Sequence, residues 1–118
     1  MSRYWLTGAS SGIGAALAVQ LLEQGHRVAL GGRCAERLAP LVARFPEQAL
    51  VALGDIEDGE RLALIADELQ QTWGALDGVI LNAGTCEYLE PGRFDPDLVE
   101  RVMRINLLGL CHCLAAAL

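Results

Sequence analysis

Four short runs of aliphatic residues, each followed by a stretch of helical periodicity, constrain this chain more than anything else in it. Arg3–Thr7, Arg27–Gly31, Ala49–Leu53 and Asp77–Leu81 read as strands. Residues 12–25, 34–45 and 58–73 read as the helices between them, and a last helix starts near Asp95 or Pro96 and runs toward the end. Leu62, Ile65, Leu69 and Trp73 lie on one face of the third helix, and Leu38, Leu41, Val42 and Phe45 on one face of the second. Pro40 falls inside that second helix and predicts a kink or break. Strands that alternate with helices predict an α/β fold of the doubly wound, Rossmann type: a parallel sheet in a three-layer α/β/α sandwich. The strands are nearly all apolar, as strands buried on both faces are.

The first strand meets the first helix at Thr7-Gly8-Ala9-Ser10-Ser11-Gly12-Ile13-Gly14, a G-x-x-x-G-x-G spacing. Glycines there let the backbone turn tightly and come close to a pyrophosphate. The helix start adds free N–H groups and a partial positive charge. Ser10 and Ser11 add hydroxyls. The residues also allow a plain Gly/Ser turn, but the strand–loop–helix setting favours a dinucleotide site. A phosphate loop of the Gly-Lys-Ser/Thr kind is excluded, because the nine basic residues are all arginine. The same absence excludes a Schiff-base lysine in these residues.

Charge and cysteine content remove other classes. Fifteen acidic residues against nine basic give a net charge of −6, the wrong sign for a nucleic-acid binder. Cys111-His112-Cys113 has no second ligand pair at zinc-site spacing, and Cys34 and Cys86 are isolated, so no metal is expected. The apolar start, MSRYWLTG, is too short for a signal peptide, and no run reaches membrane-spanning length. A cytoplasmic protein is the expectation, with buried thiols rather than disulfides.

Taken together, Thr7–Gly14 and the segments after it resemble the short-chain dehydrogenase/reductase family. Asp55 follows the third strand, where the family sets an aspartate against the adenine. Leu81-Asn82-Ala83-Gly84 resembles the family's Asn-Asn-Ala-Gly, with Leu81 in place of the first amide. Asn106-Leu-Leu-Gly109 resembles its Asn-x-x-Gly segment. The resemblance implies that Gly8, Ser10, Ser11, Gly12, Ile13, Gly14, Asp55, Asn82, Ala83 and Gly84 hold the cofactor. It implies that Asn106 perturbs its helix and serves in catalysis by holding a water of a proton relay. The residues alone also allow Asp55 as a turn cap, Asn82 and Gly84 as a strand-ending turn, and Asn106 as a locally bonded amide.

An NAD site usually carries a carboxylate at the end of the second strand, to hold the ribose hydroxyls. Leu30-Gly31-Gly32-Arg33 has none. A guanidinium suits a 2′-phosphate that a carboxylate would repel, so NADP(H) is expected over NAD(H), with Arg33 as its ligand. Arg33 also reads as a solvated residue before a helix.

The family reduces carbonyls, or oxidises alcohols, with a Tyr-x-x-x-Lys pair and a serine. No lysine is present, and the tyrosines are Tyr4 and Tyr88. Residues 1–118 are therefore expected to be a single cofactor domain, incomplete at about four strands and ending before that pair, as part of a longer reductase or as a truncated chain. A six-stranded sheet needs roughly 180 residues. The substrate is expected to be a small carbonyl or alcohol. Two other classes compete: a non-catalytic NAD(P)-binding sensor, and a methyltransferase, which Gly31-Gly32-Arg33 disfavours. The expected strand order, 3-2-1-4, leaves Asp77–Leu81 at an edge. Leu98, Val102, Ile105 and Leu108 or Gly109 form an apolar stripe that Leu107, Leu110, Leu114 and Leu118 widen. Instability or self-association of the isolated chain, and a homo-oligomer for the longer form, follow as expectations.

Overall fold

A computed structural model describes residues 1–85 and 91–118. Cys86 and Tyr88 lie outside the described residues. The strands are β1 (Arg3–Thr7), β2 (Arg27–Gly32), β3 (Ala49–Leu53) and β4 (Gly78–Leu81). They form one parallel sheet in the order β3-β2-β1-β4. The helices are α1 (Gly12–Glu23), α2 (Ala35–Arg44), α3 (Gly59–Trp73), α4 (Pro96–Met103) and α5 (Leu110–Ala117). A π-helical segment, Arg104–Gly109, joins α4 to α5.

The two-residue alternation along each strand divides the core into two. Leu6, Val28, Leu30 and Ala49 pack with Ala18 and Leu22 of α1 and Leu38 of α2. Trp5, Ala29 and Ala52 pack with Leu62, Ile65 and Leu69 of α3 and Cys113 of α5. Each face of the sheet is thus covered by helices, which gives the three layers. Burial pushes the Cys113 thiol pKa up, so it stays neutral and acts as a small apolar group.

Element ends follow their local chemistry. Helix α1 closes with His26 N donating to Leu21 O and Gly25 N to Leu22 O, both at 3.1 Å, the paired bonds of a Schellman ending. Asp58 caps α3, its side chain accepting from Arg61 N at 3.1 Å. Asp77, expected in the last strand, lies before it. Its carboxylate accepts from Arg3 N at 2.8 Å and its N–H donates to Arg3 O at 2.8 Å, so it anchors the start of β1. Helix α2 runs through Pro40 without a break. The lost N–H would have met the Glu36 carbonyl in an exposed first turn, where water can reach it.

The last helix departs most from the sequence reading. Its inward stripe runs Leu98, Val102, Ile105, Gly109, Cys113. Leu108 is half exposed, and Met103, Leu107 and Leu114 face outward with it. Gly109 lets the helix approach the turn after β3, where a Cβ would meet Ile56 Cδ1 at 2.7 Å. Among the described residues, no helix is long and apolar enough to cross a membrane.

Candidate cofactor site

The order β3-β2-β1-β4 reverses direction at β1, so the crevice beyond the C-terminal ends of the strands opens there. One cleft occupies it. Of the residues expected at the cofactor, Gly8, Ser10, Ser11, Arg33, Asp55, Asn82, Ala83 and Gly84 line this cleft. Gly12, Ile13, Gly14 and Asn106 do not. Gly12 and Ile13 form the start of α1, with Ile13 79% exposed, and Gly14 is packed beneath the loop.

The glycine loop is held from three sides. Ala9 N donates to Gly31 O of β2 at 2.9 Å. Gly8, at φ +71°, lies against the turn after β4. A Cβ on Gly8 would meet Ala83 Cα at 2.8 Å, and Asn82 Nδ2 donates to Gly8 O at 3.3 Å. Gly14 closes the loop from below: its Cβ would run into the Gly8 carbonyl oxygen and meet Asn82 Nδ2 at 2.7 Å. Around Gly12 there is open space. Ser11 caps α1 in position only, with no side-chain hydrogen bond. The loop therefore presents bare backbone and uncommitted N–H groups to the cleft, the cradle a pyrophosphate needs.

Thr7 is a residue the sequence reading did not assign. It is 3% exposed. Its Oγ1 accepts from Asn82 N at 3.0 Å and Ala83 N at 3.1 Å, and donates to Ile80 O at 3.4 Å. One hydroxyl thus fixes the end of β4 to the end of β1. Thr7→Val keeps the shape and leaves two N–H groups without an acceptor. A loss of about 2–3 kcal/mol is expected in a denaturant melt, and a loss below about 0.5 kcal/mol would show that water replaces the hydroxyl.

On the other flank, Asp55 lines the cleft, and its Oδ1 accepts from Glu57 N at 2.9 Å. It is a turn cap and a cleft residue at once. The turn is docked on the last helix through the Ile56–Gly109 contact, a 3.1 Å hydrogen bond between His112 Nδ1 and Ile56 O, and the Arg104–Glu57 pair at 3.8 Å. Asn106 lies in the π segment. Its Oδ1 accepts from Thr85 N at 2.7 Å and its Nδ2 donates to Thr85 O at 2.8 Å. Each atom keeps one further hydrogen-bonding position. Thr85 and Ile105 line the cleft, so Asn106 stands behind its wall.

Arg33 and Arg37 line the end of the cleft nearest β2. A Cβ on Gly32 would meet Leu38 Cδ1 at 3.3 Å, a contact a flexible side chain can yield. Among the described residues no group of three or more His, Cys, Asp or Glu converges as a metal site.

The family model for short chain dehydrogenase matches residues 4–118. An uncharacterized oxidoreductase of Listeria innocua is 34% identical, over 96% of this chain and 47% of that protein. A short-chain dehydrogenase from Streptomyces avermitilis superposes with a TM-score of 0.91 at 27% identity, covering 99% of this chain and 44% of that one. A gluconate 5-dehydrogenase from Burkholderia cenocepacia, solved with NADP and tartrate, gives 0.86 at 31% identity over 98% of this chain and 47% of its own. The chain thus spans about half the length of the proteins it matches.

Proposed function

The chain belongs to the short-chain dehydrogenase family, and from that premise we propose that residues 1–118 form the cofactor half of an NADP(H)-dependent oxidoreductase acting on a small carbonyl or alcohol. The cofactor, when bound, would supply the hydride to a carbonyl or, in its oxidised form, accept it from an alcohol. The chain's own residues hold it: Gly8, Gly12, Ile13 and Gly14 shape the loop, and the start of α1 with Ser10 and Ser11 receives the pyrophosphate. Asp55 faces the adenine, while Asn82, Ala83 and Gly84 close over the adenosine half. Asn106 acts as a positioning residue. It fixes the backbone of Thr85 and keeps one hydrogen-bonding position on each amide atom with which to hold a water. The oxidoreductase names of the relatives favour an enzyme over a sensor. The apolar outer face of the last helix, with Met103, Leu107 and Leu114, suits a subunit contact in the longer form.

The observation that carries the cofactor choice is Arg33 at the cleft beside Gly32, where a carboxylate would serve NAD. The NADP-bound gluconate 5-dehydrogenase is in keeping with it. Arg33→Glu removes a charge-assisted hydrogen bond and adds repulsion, so NADPH affinity should fall at least about 100-fold. NADH affinity should change by less than about threefold. Calorimetric titration of both cofactors measures this. An unchanged NADPH-to-NADH ratio would defeat the assignment.

A further inference from the structure

His112 of α5 does not line the cleft and has no role in the reading above, yet its hydrogen bond ends on the turn that carries Asp55. Its Nδ1 lies 3.1 Å from Ile56 O. A carbonyl oxygen only accepts, so Nδ1 carries the proton and donates it to this bond. The residue is half-buried, and a Cβ on Gly59, the first residue of α3, would meet its Cδ2 at 3.6 Å. The imidazole is therefore seated against both the middle of the turn and the start of α3.

The bond acts on a single peptide group. Ile56 O and Glu57 N belong to the same planar unit. Its oxygen accepts from His112, and its N–H donates to Asp55 Oδ1 at 2.9 Å. Imidazole, peptide and carboxylate thus form a chain of hydrogen bonds in which each dipole polarises the next. The other ties of the turn leave this peptide alone. Gly54 N donates to Gly32 O at 2.9 Å and Arg61 Nε to Leu53 O at 2.8 Å, which fixes the β3 end. Asp58 N donates to Asp55 O at 2.9 Å, which closes the turn. Gly109 lies on the Ile56 side chain, and Arg104 pairs with the Glu57 side chain. Among the described residues, only His112 donates to Ile56 O, and none donates to Asp55 Oδ2. That second carboxylate oxygen is left for a ligand in the cleft.

We propose that His112 is a positioning residue for base recognition: through the Ile56–Glu57 peptide it orients the Asp55 carboxylate so that Oδ2 accepts from the 6-amino group of the adenine. This rests on the reading of Asp55 as the residue that faces the adenine. A carboxylate that accepts from an amino group separates adenine from hypoxanthine, whose 6-oxygen has no hydrogen to give and is repelled. Without the His112 bond the peptide is free to turn, Oδ1 loses its donor and the carboxylate swings toward water. Discrimination between the bases is then lost while the pyrophosphate cradle at Gly8–Gly14 stays intact.

The test is a fluorescence titration of NADPH and of its hypoxanthine counterpart with the wild-type protein, Asp55→Ala, His112→Phe, His112→Gln and His112→Asn. The wild type should prefer NADPH at least about tenfold, and Asp55→Ala by less than about twofold. His112→Phe keeps a ring against Gly59 without the donor. His112→Gln stays polar but carries its amide where Nε2 stood, and it gives the answer even if the Phe variant does not fold. Both should lower the preference for NADPH at least about threefold. His112→Asn sets its Nδ2 where Nδ1 stood and should restore most of that preference. Equal weakening of both dinucleotides by His112→Phe and His112→Gln, with the preference kept, would make His112 a packing residue and overturn the proposal. A preference that falls as far in His112→Asn as in His112→Gln would overturn it too. A preference absent from the wild type, or unchanged in Asp55→Ala, would defeat the reading of Asp55 at the adenine itself.

Discussion

Gly14→Ala should abolish dinucleotide binding and lower the stability of the fold by at least about 3 kcal/mol. The added methyl has nowhere to go. It runs into the Gly8 carbonyl and lies 2.7 Å from both Gly8 C and Asn82 Nδ2. Two of those neighbours are backbone, and Asn82 is tied to Thr7 through its N–H and to Gly8 through its amide, so none can yield. Relief requires the Gly8 loop to lift off α1, which destroys the cradle at the pyrophosphate. In a chain of this size the loss corresponds to a fall in Tm of roughly 10–20 °C. Gly12→Ala is the informative comparison. Open space surrounds that position, so only its φ of +58° opposes a side chain, at about 1–2 kcal/mol. A Gly14→Ala protein that melts within a few degrees of wild type and binds NADPH normally would show that the loop is not packed as described.

The second large effect is an absence of turnover. Residues 1–118, purified and saturated with NADPH, should reduce no carbonyl faster than buffer does. Hydride transfer to a carbonyl needs a proton donor at the oxygen, and a positioned general acid contributes about 10²–10⁴-fold. No described residue takes that place. Tyr4 neighbours the cleft-lining Trp5 on β1, and strand alternation sends its side chain to the opposite face of the sheet. Its ring meets His26 edge-on at 5.6 Å. His112 is held on the Ile56 carbonyl. Tyr88 lies outside the described residues and has no lysine to tune it, since the chain contains none. Robust NADPH oxidation by sequence-verified material would require a donor elsewhere in these residues.

Much of the fold was legible because period changes are written directly in the residues. The switch from near-continuous apolar runs to the 3- and 4-residue spacing of Leu62, Ile65 and Leu69 places β3 and α3, and the glycine loop marks the β1–α1 junction. The strand order followed from that alternation. Less visible were features set by distant contacts. The π segment has no local signal beyond Asn106, because it accompanies the docking of Gly109 on Ile56, some fifty residues away. Thr7 reads as an ordinary strand former; its clamp on Asn82 and Ala83 exists only once β4 lies beside β1. Asp77 reads as the start of a strand because its partner, Arg3, lies at the other end of the chain. Of the residues expected at the cofactor, Gly8, Ser10, Ser11, Arg33, Asp55, Asn82, Ala83 and Gly84 line the cleft, whereas Gly12, Ile13, Gly14 and Asn106 do not.

Trp5 lines the cleft, so a bound reduced nicotinamide dinucleotide should accept its excitation energy. The most direct test is therefore a titration of the protein with NADPH and, separately, NADH, exciting tryptophan and reading nicotinamide emission. Saturation at one NADPH per chain is expected, with NADH needing at least about tenfold higher concentration, and no saturable signal from Gly14→Ala. A protein that melts cooperatively yet shows no saturable transfer with either dinucleotide would establish that the cleft at the ends of these strands is not a dinucleotide site.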